Sequence, residues 1–400
     1  MSNEFRIPFF LIWRFLKRGN KWTLLLTIFL MSVAFINLVF VNSLFHGVTE
    51  TSDKQVIQTS AGDVTVSALP GRDFLDGVSA KMAAIEKIPG VKAVSDQTLV
   101  PGSLKLGTVQ GNYGIYAVDP ALDSKTLIIS KHMSHGSYLS PGDTDKIIIG
   151  RQVAGGPKVE LNSTSLKGAN VGDKVVLSTN AFSKVFTVKG IYFTKNMMSD
   201  YNAYITNSAL DKLAPQMTDM ATKIVVRTDK PELENQVIKE IKKANLGVTV
   251  SPWQDSAGVA KSVTSSFITI NALLTTVGFL IAAVVIFIII YVEINHRRQE
   301  IGILRAIGIK SYLIRTTYVF QAIVYSVLGV GLGLAIFFGI IVPYFNWHPF
   351  AIPIGDVKLI ANAADFNARA WSVIFVAIIS ATIPSILVTR AKILDEIAGR

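Results

Sequence analysis

The amino-acid sequence predicts an α-helical membrane protein with four transmembrane helices and a large α+β extracytoplasmic domain. Half of the 400 residues are hydrophobic and only 17% are charged, which is rare for a soluble protein of this length. Four stretches lack charged residues in their central portions and are long enough to cross about 30 Å of hydrocarbon. We expect these spans at 22–46, 263–292, 316–343 and 370–389. The long segment between the first two spans, 47–262, has the composition of a soluble domain.

Basic residues predict how the chain lies in the membrane. The net charge is +11, and much of this excess flanks the spans, in segments 1–21, 293–315 and 390–400. The positive-inside rule therefore places both termini and the 293–315 loop in the cytoplasm, with 47–262 and the 344–369 loop outside. We expect a multi-pass protein of the cell (inner or cytoplasmic) membrane. Because the charges of 47–262 nearly balance, the basic excess is a topology signal, and we expect no nucleic-acid partner.

The segment before the first span, 1–21, mixes aromatic and basic residues, among them Trp13, Arg14 and Lys17. This pattern is typical of a helix that lies in the membrane interface, although a simple anchoring flank would look the same. The long apolar run and the absence of a small-residue cleavage site favour an uncleaved anchor over a signal peptide.

The two ends of the extracytoplasmic domain predict one α/β layer. Its first part, 47–118, reads as a strand, a helix and two further strands. Its last part, 221–262, reads as strand, helix and strand, and together the two could close a split βαβ layer of ferredoxin-like type. The predicted elements are strands Asp63–Ala68, Val91–Val100, Tyr113–Val118, Thr222–Arg227 and Val248–Ser251, with helices at 78–88 and Pro231–Ala244.

The middle of the domain, 119–220, is richer in turns and short strands, and we interpret it as a β-rich part inserted into the first layer. Its predicted strands are Lys146–Gly150, Lys174–Ser178, Val185–Phe193 and Ala203–Thr206.

The third predicted span, 316–343, carries Gly329 and Gly333 four residues apart. This spacing allows transmembrane helices to approach closely.

The sequence predicts no catalytic residue, no cofactor site and no metal site in this chain. There is no cysteine and no phosphate-binding loop of the form Gly-x4-Gly-Lys-Ser/Thr, so ATP and Mg²⁺ would have to be bound by a separate ATPase. His132 and His135 have a plausible ligand spacing, but no carboxylate cluster accompanies them, and a solvated pair in a loop is the favoured interpretation.

The loop after the second span contains a short amphipathic segment, Tyr291–Lys310. Ile301, Leu304 and Gly308 fall on one side of a helix with Ile307 beside them. Glu300, Arg305 and Lys310 can face water or a partner. Two interpretations stay open on these residues alone: a helix that docks on a soluble partner, or an extension of the second span that only positions the third.

One sequence motif resembles the coupling segment of the MacB/LolC/FtsX superfamily (type VII) of ABC-transporter permeases: Arg298-Gln-Glu-Ile-Gly-Ile-Leu-Arg-Ala-Ile-Gly308. The tail from Thr389 onward is similar to the common ending of that family. The layout of one span, a large external domain and three further spans is also similar, including an external "porter" layer with an inserted β-rich part. The resemblance implies that these residues form an ATPase-coupling helix: Glu300, Ile301, Gly302, Leu304, Arg305, Ile307 and Gly308.

The resemblance further implies a dimer of permeases, homologous or identical, on two copies of an ABC ATPase. Ile301, Leu304 and Ile307 would fill a groove on the ATPase, Glu300 and Arg305 would form pairs at its rim, and the glycines would permit close approach. ATP-driven movement would pass to the external domain, which would extrude or extract a lipoprotein, lipid, peptide or drug. LolC- and LolE-like subunits, which extract lipoproteins from a membrane, share this layout, and so do exporters of peptides and small molecules. The alternatives are FtsX-like control of a cell-wall hydrolase and a scaffold that binds an external partner without any ATPase.

Overall fold

The computed structural model describes residues 21–157, 159–256, 259–353 and 355–390. The predicted interfacial helix at 1–21 and the predicted tail at 390–400 lie outside these residues, except for Lys21 and Arg390 themselves. The chain divides into two compact units. We call them the helical unit (residues up to 48, 266–350 and from 357 onward) and the sheet unit (residues 49–265 and 351–356).

The helices in chain order are α1 (Lys21–Val56), α2 (Val78–Glu86), α3 (Pro120–Thr126), α4 (Arg151–Ala154), α5 (Asn207–Leu213), α6 (Glu234–Lys243), α7 (Trp253–Ser256), α8 (Val259–His296), α9 (Arg298–Ala306), α10 (Ser311–Ile336), α11 (Val342–Trp347) and α12 (Ala363–Arg390). The strands are β1 (Val64–Ser67), β2 (Leu75–Asp76), β3 (Val91–Leu106), β4 (Val109–Val118), β5 (Met133–Gly136), β6 (Lys146–Gly150), β7 (Lys174–Ser178), β8 (Ser183–Tyr192), β9 (Asn202–Thr206), β10 (Met220–Ala221), β11 (Lys223–Thr228), β12 (Thr249–Pro252), β13 (Phe350–Ile352) and β14 (Gly355–Val357).

Four helical segments in the described part of the chain are long and apolar enough to cross a membrane: Leu24–Ala61, Ser265–His296, Ser311–Trp347 and Ala363–Thr389. They overlap the four predicted spans, and each extends beyond its prediction at one end or both, because polar residues at the ends of the apolar runs continue the helices. In α1, for example, Lys54 forms an ion pair with Glu50 one turn earlier, a pairing that supports a helix in water. The segments Ile57–Ala61 and Phe337–Ile341 that extend α1 and α10 are π-helical.

Glycines bring α10 and α1 together inside the helical unit. A Cβ atom added at Gly329 would lie 2.5 Å from Met31 Cβ, and one added at Gly333 would lie 2.9 Å from Phe35 Cδ1. Both distances are too short for a real contact, so the two positions require glycine at this spacing. The core around them is built from residues of α1, α8, α10 and α12, including Phe35, Ile290, Tyr318 and Ala377.

The first layer of the sheet unit has the split βαβ topology that the sequence predicts. The strands lie in the order β12-β1-β11-β3, and each neighbouring pair is antiparallel. Helix α2 connects β1 to β3, and α6 connects β11 to β12, so the order is that of a ferredoxin-like layer. Its core contains Val64 and Val66 of β1, Ile224 and Val226 of β11, and Ile85 of α2.

The strands of the middle segment, 119–220, extend the same sheet. The sheet continues from β3 through β4, β9, β6 and β8 to β5, and β7 pairs with both β3 and β8. The second core contains Val100 and Leu104 of β3 and Ile115 of β4 together with residues from 119–220. Strand β3 therefore contributes to both cores, with Val94 in the first and Val100 and Leu104 in the second.

The predicted strand ended at Val100 because Pro101-Gly102 is a turn signal, whereas β3 continues to Leu106. The pairing explains why proline is tolerated there. On one side of β3, pairing with β11 ends at Gln97 and pairing with β7 starts only at Ser103. Pro101 lies in this gap, where no neighbouring strand on that side needs its missing amide hydrogen.

A hairpin between the third and fourth spans belongs to the sheet unit. Strands β13 and β14 lie within the 344–369 segment, which we expected to be an extracytoplasmic loop. Met197 N donates to Pro353 O at 2.8 Å, and Lys195 forms an ion pair with Asp356. Residues 351–356 of this hairpin belong to the sheet unit.

Two basic residues of β11 bind the segment that follows α1. Lys223 Nζ donates to Ser60 O at 2.6 Å, and Arg227 Nη1 donates to Ile57 O at 3.4 Å. Both carbonyls lie in the π-helical segment Ile57–Ala61, and Ile57 O also accepts from Gly62 N at 3.1 Å. Burial lowers the pKa of Lys223 to about 8, although the nearby Asp123 opposes that shift.

Candidate coupling site

The helix α9 forms between the second and third spans, separated from α8 by Arg297 alone. It ends because Gly308 adopts φ +96°, in the left-handed region. Gly308 N donates to Arg305 O at 3.1 Å, and Ile309 N donates to Leu304 O at 3.1 Å, an arrangement typical of a glycine helix stop. A Cβ atom at Gly308 would meet no described atom within 4 Å, so its conformation, rather than a close approach within the chain, requires glycine.

The burial of α9 separates an anchoring face from an exposed face. Ile301 is only 2% exposed and belongs to the core that also contains Ile294 and Ile314. Gly302 is buried as well, and Leu304 is half-buried. Ile303 and Ile307, by contrast, are 54% and 72% exposed.

Ile301 packs into the helical unit and anchors α9 to the spans, so its side chain is covered by the chain itself. Its predicted contact with an ATPase stays a prediction. The apolar edge that a partner could bind consists of Ile303 and Ile307, with Leu304 beside them. Sequence reasoning included Ile307 but missed Ile303.

Charged side chains flank this apolar edge. Glu300 is exposed, and its Oε2 atom lies 3.9 Å from Arg297 Nη1. Lys310 is also exposed, and its Nζ atom lies 5.8 Å from the centre of the Tyr312 ring. Arg305 is half-buried. An exposed apolar pair with charges of both signs at its margin is suited to binding a soluble protein.

The histidine pair has ordinary local contacts. His132 Nδ1 lies 3.0 Å from Ile128 O, and His135 Nδ1 lies 3.2 Å from Ser134 Oγ. Across residues 21–157, 159–256, 259–353 and 355–390, no group of three or more His, Cys, Asp or Glu side chains is placed to hold a metal ion.

The sheet unit contains an acid-lined cleft of about 440 Å³ between α2 and α5. Its lining includes five carboxylates: Glu86, Asp96, Asp119, Asp211 and Asp219. Burial raises the pKa of Asp96, and the neighbouring carboxylates of Asp119 and Asp211 add to that rise. We assign this cleft no part in coupling.

Comparison with known families gives two matches that together extend along most of the chain. Residues 24–244 match the MacB-like periplasmic core domain, and residues 272–393 match the FtsX-like permease C-terminal domain. The first match alone covers more than half of the 400 residues.

Solved structures give weaker likenesses. The periplasmic region of MacB from Actinobacillus actinomycetemcomitans is 11% identical, with 51% of this chain and 95% of that chain covered and a TM-score of 0.37. The extracellular domain of the noncanonic ABC-type transporter YknZ from Gram-positive bacteria is 11% identical, with 47% and 97% covered and a TM-score of 0.35. A permease-protein domain from Porphyromonas gingivalis is 14% identical, with 47% and 84% covered and a TM-score of 0.29.

TM-scores this low do not support a family assignment for this chain. Its family assignment therefore depends on the two family matches. The core-domain match includes the sheet unit up to residue 244, and the permease match contains α9, α10 and α12. The chain belongs to the MacB/FtsX-like family of ABC transporter permeases.

Proposed function

We propose that this chain passes the ATP-driven movement of a separate ABC ATPase to its extracytoplasmic domain, and thereby extrudes or extracts a substrate such as a lipoprotein, lipid, peptide or drug. The observation that carries this proposal is the exposed pair Ile303 and Ile307 on a helix whose other face is anchored among the spans. Apolar side chains outside a membrane gain stability when a partner covers them, at about 2 kcal/mol for a fully buried isoleucine.

The family supplies the setting for this proposal. It implies a component of an ABC transporter that works with an ABC ATPase subunit, and a multi-pass membrane protein with a large extracytoplasmic domain. We infer that α9 and both termini lie in the cytoplasm, and that the ATPase binds ATP and Mg²⁺. This chain is then a permease and not itself an enzyme.

We propose a route for this movement from the order of the helices along the chain. Helix α8 runs without interruption from Val259 to His296, and α9 begins at Arg298. In the proposed mechanism, closure of two ATPase copies moves α9 through Ile303 and Ile307. The anchoring residue Ile301 transfers that movement to the core of the helical unit, and α8 carries it toward the sheet unit.

A second permease copy, identical or homologous, completes the proposed complex. Helix α8 presents a row of exposed apolar side chains, including Leu273, Leu280, Val284 and Ile288. Membrane lipid can cover such a row, and so can the same row of a second permease, which would place two α9 helices above two ATPase copies.

The test is purification of the full chain from its native membrane in mild detergent, with identification of the bound proteins. The proposal predicts a bound ABC ATPase with wild-type protein, and its loss when Ile303→Asp and Ile307→Asp are combined. Val185→Asp, at an equally exposed apolar position of β8, is the matched control and retains the ATPase. An ATPase-independent scaffold or hydrolase regulator predicts that the double variant keeps every partner of the wild-type chain.

A further inference from the structure

A shielded carboxylate lies at the junction of α8, α9 and α10. The Glu293 side chain is only 12% exposed, although it lies one turn before the end of α8. Gln321 Nε2 donates to Glu293 Oε2 at 2.6 Å, and the Tyr325 hydroxyl donates to the same oxygen at 3.2 Å. Gln321 and Tyr325 are buried one turn apart on α10, and Gln321 Nε2 also lies 2.6 Å from the Tyr325 hydroxyl oxygen.

The same carboxylate is linked to the coupling helix through one arginine. Arg297 Nη2 lies 3.7 Å from Glu293 Oε1, and Arg297 Nη1 lies 3.9 Å from Glu300 Oε2. Glu300 is part of α9. A continuous set of polar contacts therefore joins α10, the end of α8 and the start of α9.

The polar groups of Glu293, Gln321 and Tyr325 are not required for these helices to pack together. The surrounding core contains Ile290, Ile294 and Tyr318, against which an apolar side chain could pack. A carboxylate taken out of water is costly unless hydrogen bonds and a nearby cation compensate for it. What the polar contacts add is direction, because hydrogen bonds hold donor and acceptor at one distance and angle, whereas apolar contacts allow helices to slide.

We propose that Glu293 is a positioning residue that holds α8 and α10 in one register beneath α9, so that the three helices move as one body when the ATPase moves α9. This inference depends on the proposed function, and it adds to that function the joint through which movement leaves the coupling helix. Gln321 and Tyr325 supply the α10 side of the joint, and Arg297 supplies its link to α9.

The test uses the complete complex with its ATPase, in lipid nanodiscs. Hydrogen exchange of residues 49–265 is compared with and without ATP and vanadate, and ATP hydrolysis is measured on the same samples. In Glu293→Ala we expect the ATPase to stay bound and to hydrolyse ATP, while the nucleotide-dependent change in exchange becomes about tenfold smaller, as expected for loss of a charge-assisted contact. Asn295→Ala, at an exposed polar position two residues away, is the matched control and keeps the full change.

Swapping the side chains of Glu293 and Gln321 distinguishes a specific contact between these two positions from a general loss of packing. Gln321→Glu alone places two carboxylates together, and we expect it to abolish the nucleotide-dependent change. Glu293→Gln combined with Gln321→Glu restores one carboxylate, one amide donor and the Tyr325 contact, and at least half of the change should return. No return in the double variant, or a wild-type response in Glu293→Ala, overturns the inference.

A smaller change, Tyr325→Phe, tests the same contacts if the Glu293→Ala chain does not assemble with its ATPase. Tyr325→Phe removes one hydroxyl group and preserves the ring, and we expect about a threefold smaller change in exchange. An unaltered change in that variant overturns the inference. If the wild-type complex contains no ATPase or shows no response to nucleotide, the proposed function itself fails, and the inference fails with it.

Discussion

Ile303 of α9 and Ile307, which follows the last residue of that helix, lie one helical turn apart and are both exposed, while Ile301 of α9 is buried in the helical unit. One short helix thus has an apolar face for its own chain and a second apolar face that its own chain leaves uncovered. This division assigns binding to one pair of residues and anchoring to another, and substitutions can separate the two roles.

Ile301→Ala and Ile303→Ala should change different properties of the chain. The first removes buried methyl groups, so the free energy of unfolding of the helical unit should fall by about 2–4 kcal/mol. The second removes exposed atoms and should leave the unfolding temperature unchanged while weakening ATPase binding roughly tenfold. Thermal unfolding and ATPase affinity of the purified chains measure the two quantities. Equal loss of stability in both variants would contradict the division of α9 into two faces.

The glycines of α10 give a second test. Gly329→Leu and Gly333→Leu should separate α1 from α10, because even a Cβ atom would overlap Met31 or Phe35. We expect each to destabilise the chain by about 1–3 kcal/mol, measured as the thermal midpoint in detergent. Gly331→Leu is the control, since a Cβ atom at Gly331 would meet no described atom within 4 Å. A midpoint for Gly333→Leu equal to that of Gly331→Leu would rule out the close approach.

The stop at Gly308 should tolerate asparagine better than valine. The backbone there has φ +96°, which a β-branched residue adopts only under strain, at a cost of about 1–3 kcal/mol. Gly308→Val should therefore lower ATPase affinity by loosening the end of α9, and Gly308→Asn should lower it less. Affinity measurements on the two variants check this order, and the reverse order would show that the turn does not position α9.

The buried carboxylate of Asp200 should make the stability of the sheet unit depend on pH. It is buried and accepts hydrogen bonds from Thr194 N and Thr194 Oγ1, both at 2.8 Å. Burial raises its pKa from 3.8 to about 6 in spite of those hydrogen bonds. Because the folded-state pKa is the higher one, its contribution to stability is fully present below about pH 4 and is lost as the pH rises through about 6.

The corresponding measurement is hydrogen exchange of the segment around residues 194–202 in the full chain, corrected for the intrinsic dependence of exchange on pH. Protection should fall between about pH 4 and pH 7, and Asp200→Asn should make that fall smaller because the position no longer titrates. An Asp200→Asn profile that parallels the wild type would exclude Asp200 as the titrating group.

Much of this fold can be predicted from local patterns. The strands Lys146–Gly150 and Lys174–Ser178 begin and end at the predicted residues, and the split βαβ order follows from the predicted strands and helices at the two ends of the domain. The seven-residue helices α3 and α5 were missed because they are too short to show periodicity. Their caps were visible in the sequence: Asp119 precedes Pro120 and accepts from Ala121 N, and Thr206 accepts from Ala209 N.

The candidate site could be found from the sequence, but its exposed face could not. Ile301 and Leu304 are three residues apart, and Ile303 and Ile307 are four apart, so both pairs satisfy helical spacing. The choice between them depends on Ile294 and Ile314, which the second and third spans bring against Ile301. The partners of Glu293 were hidden for the same reason, since Gln321 and Tyr325 come from the next span.

Site-specific photo-crosslinking from α9 tests the central claim most directly. The chain contains no cysteine, so Ile303→Cys or Ile307→Cys places a single photoreactive label on the exposed face, with Ile301→Cys and Val185→Cys as buried and remote controls. In native membranes, the proposed function predicts crosslinks from positions 303 and 307 to an ABC ATPase and none from the two controls. Crosslinks from 303 and 307 only to lipid, or equal ATPase crosslinks from Val185→Cys, would contradict α9 as the coupling site.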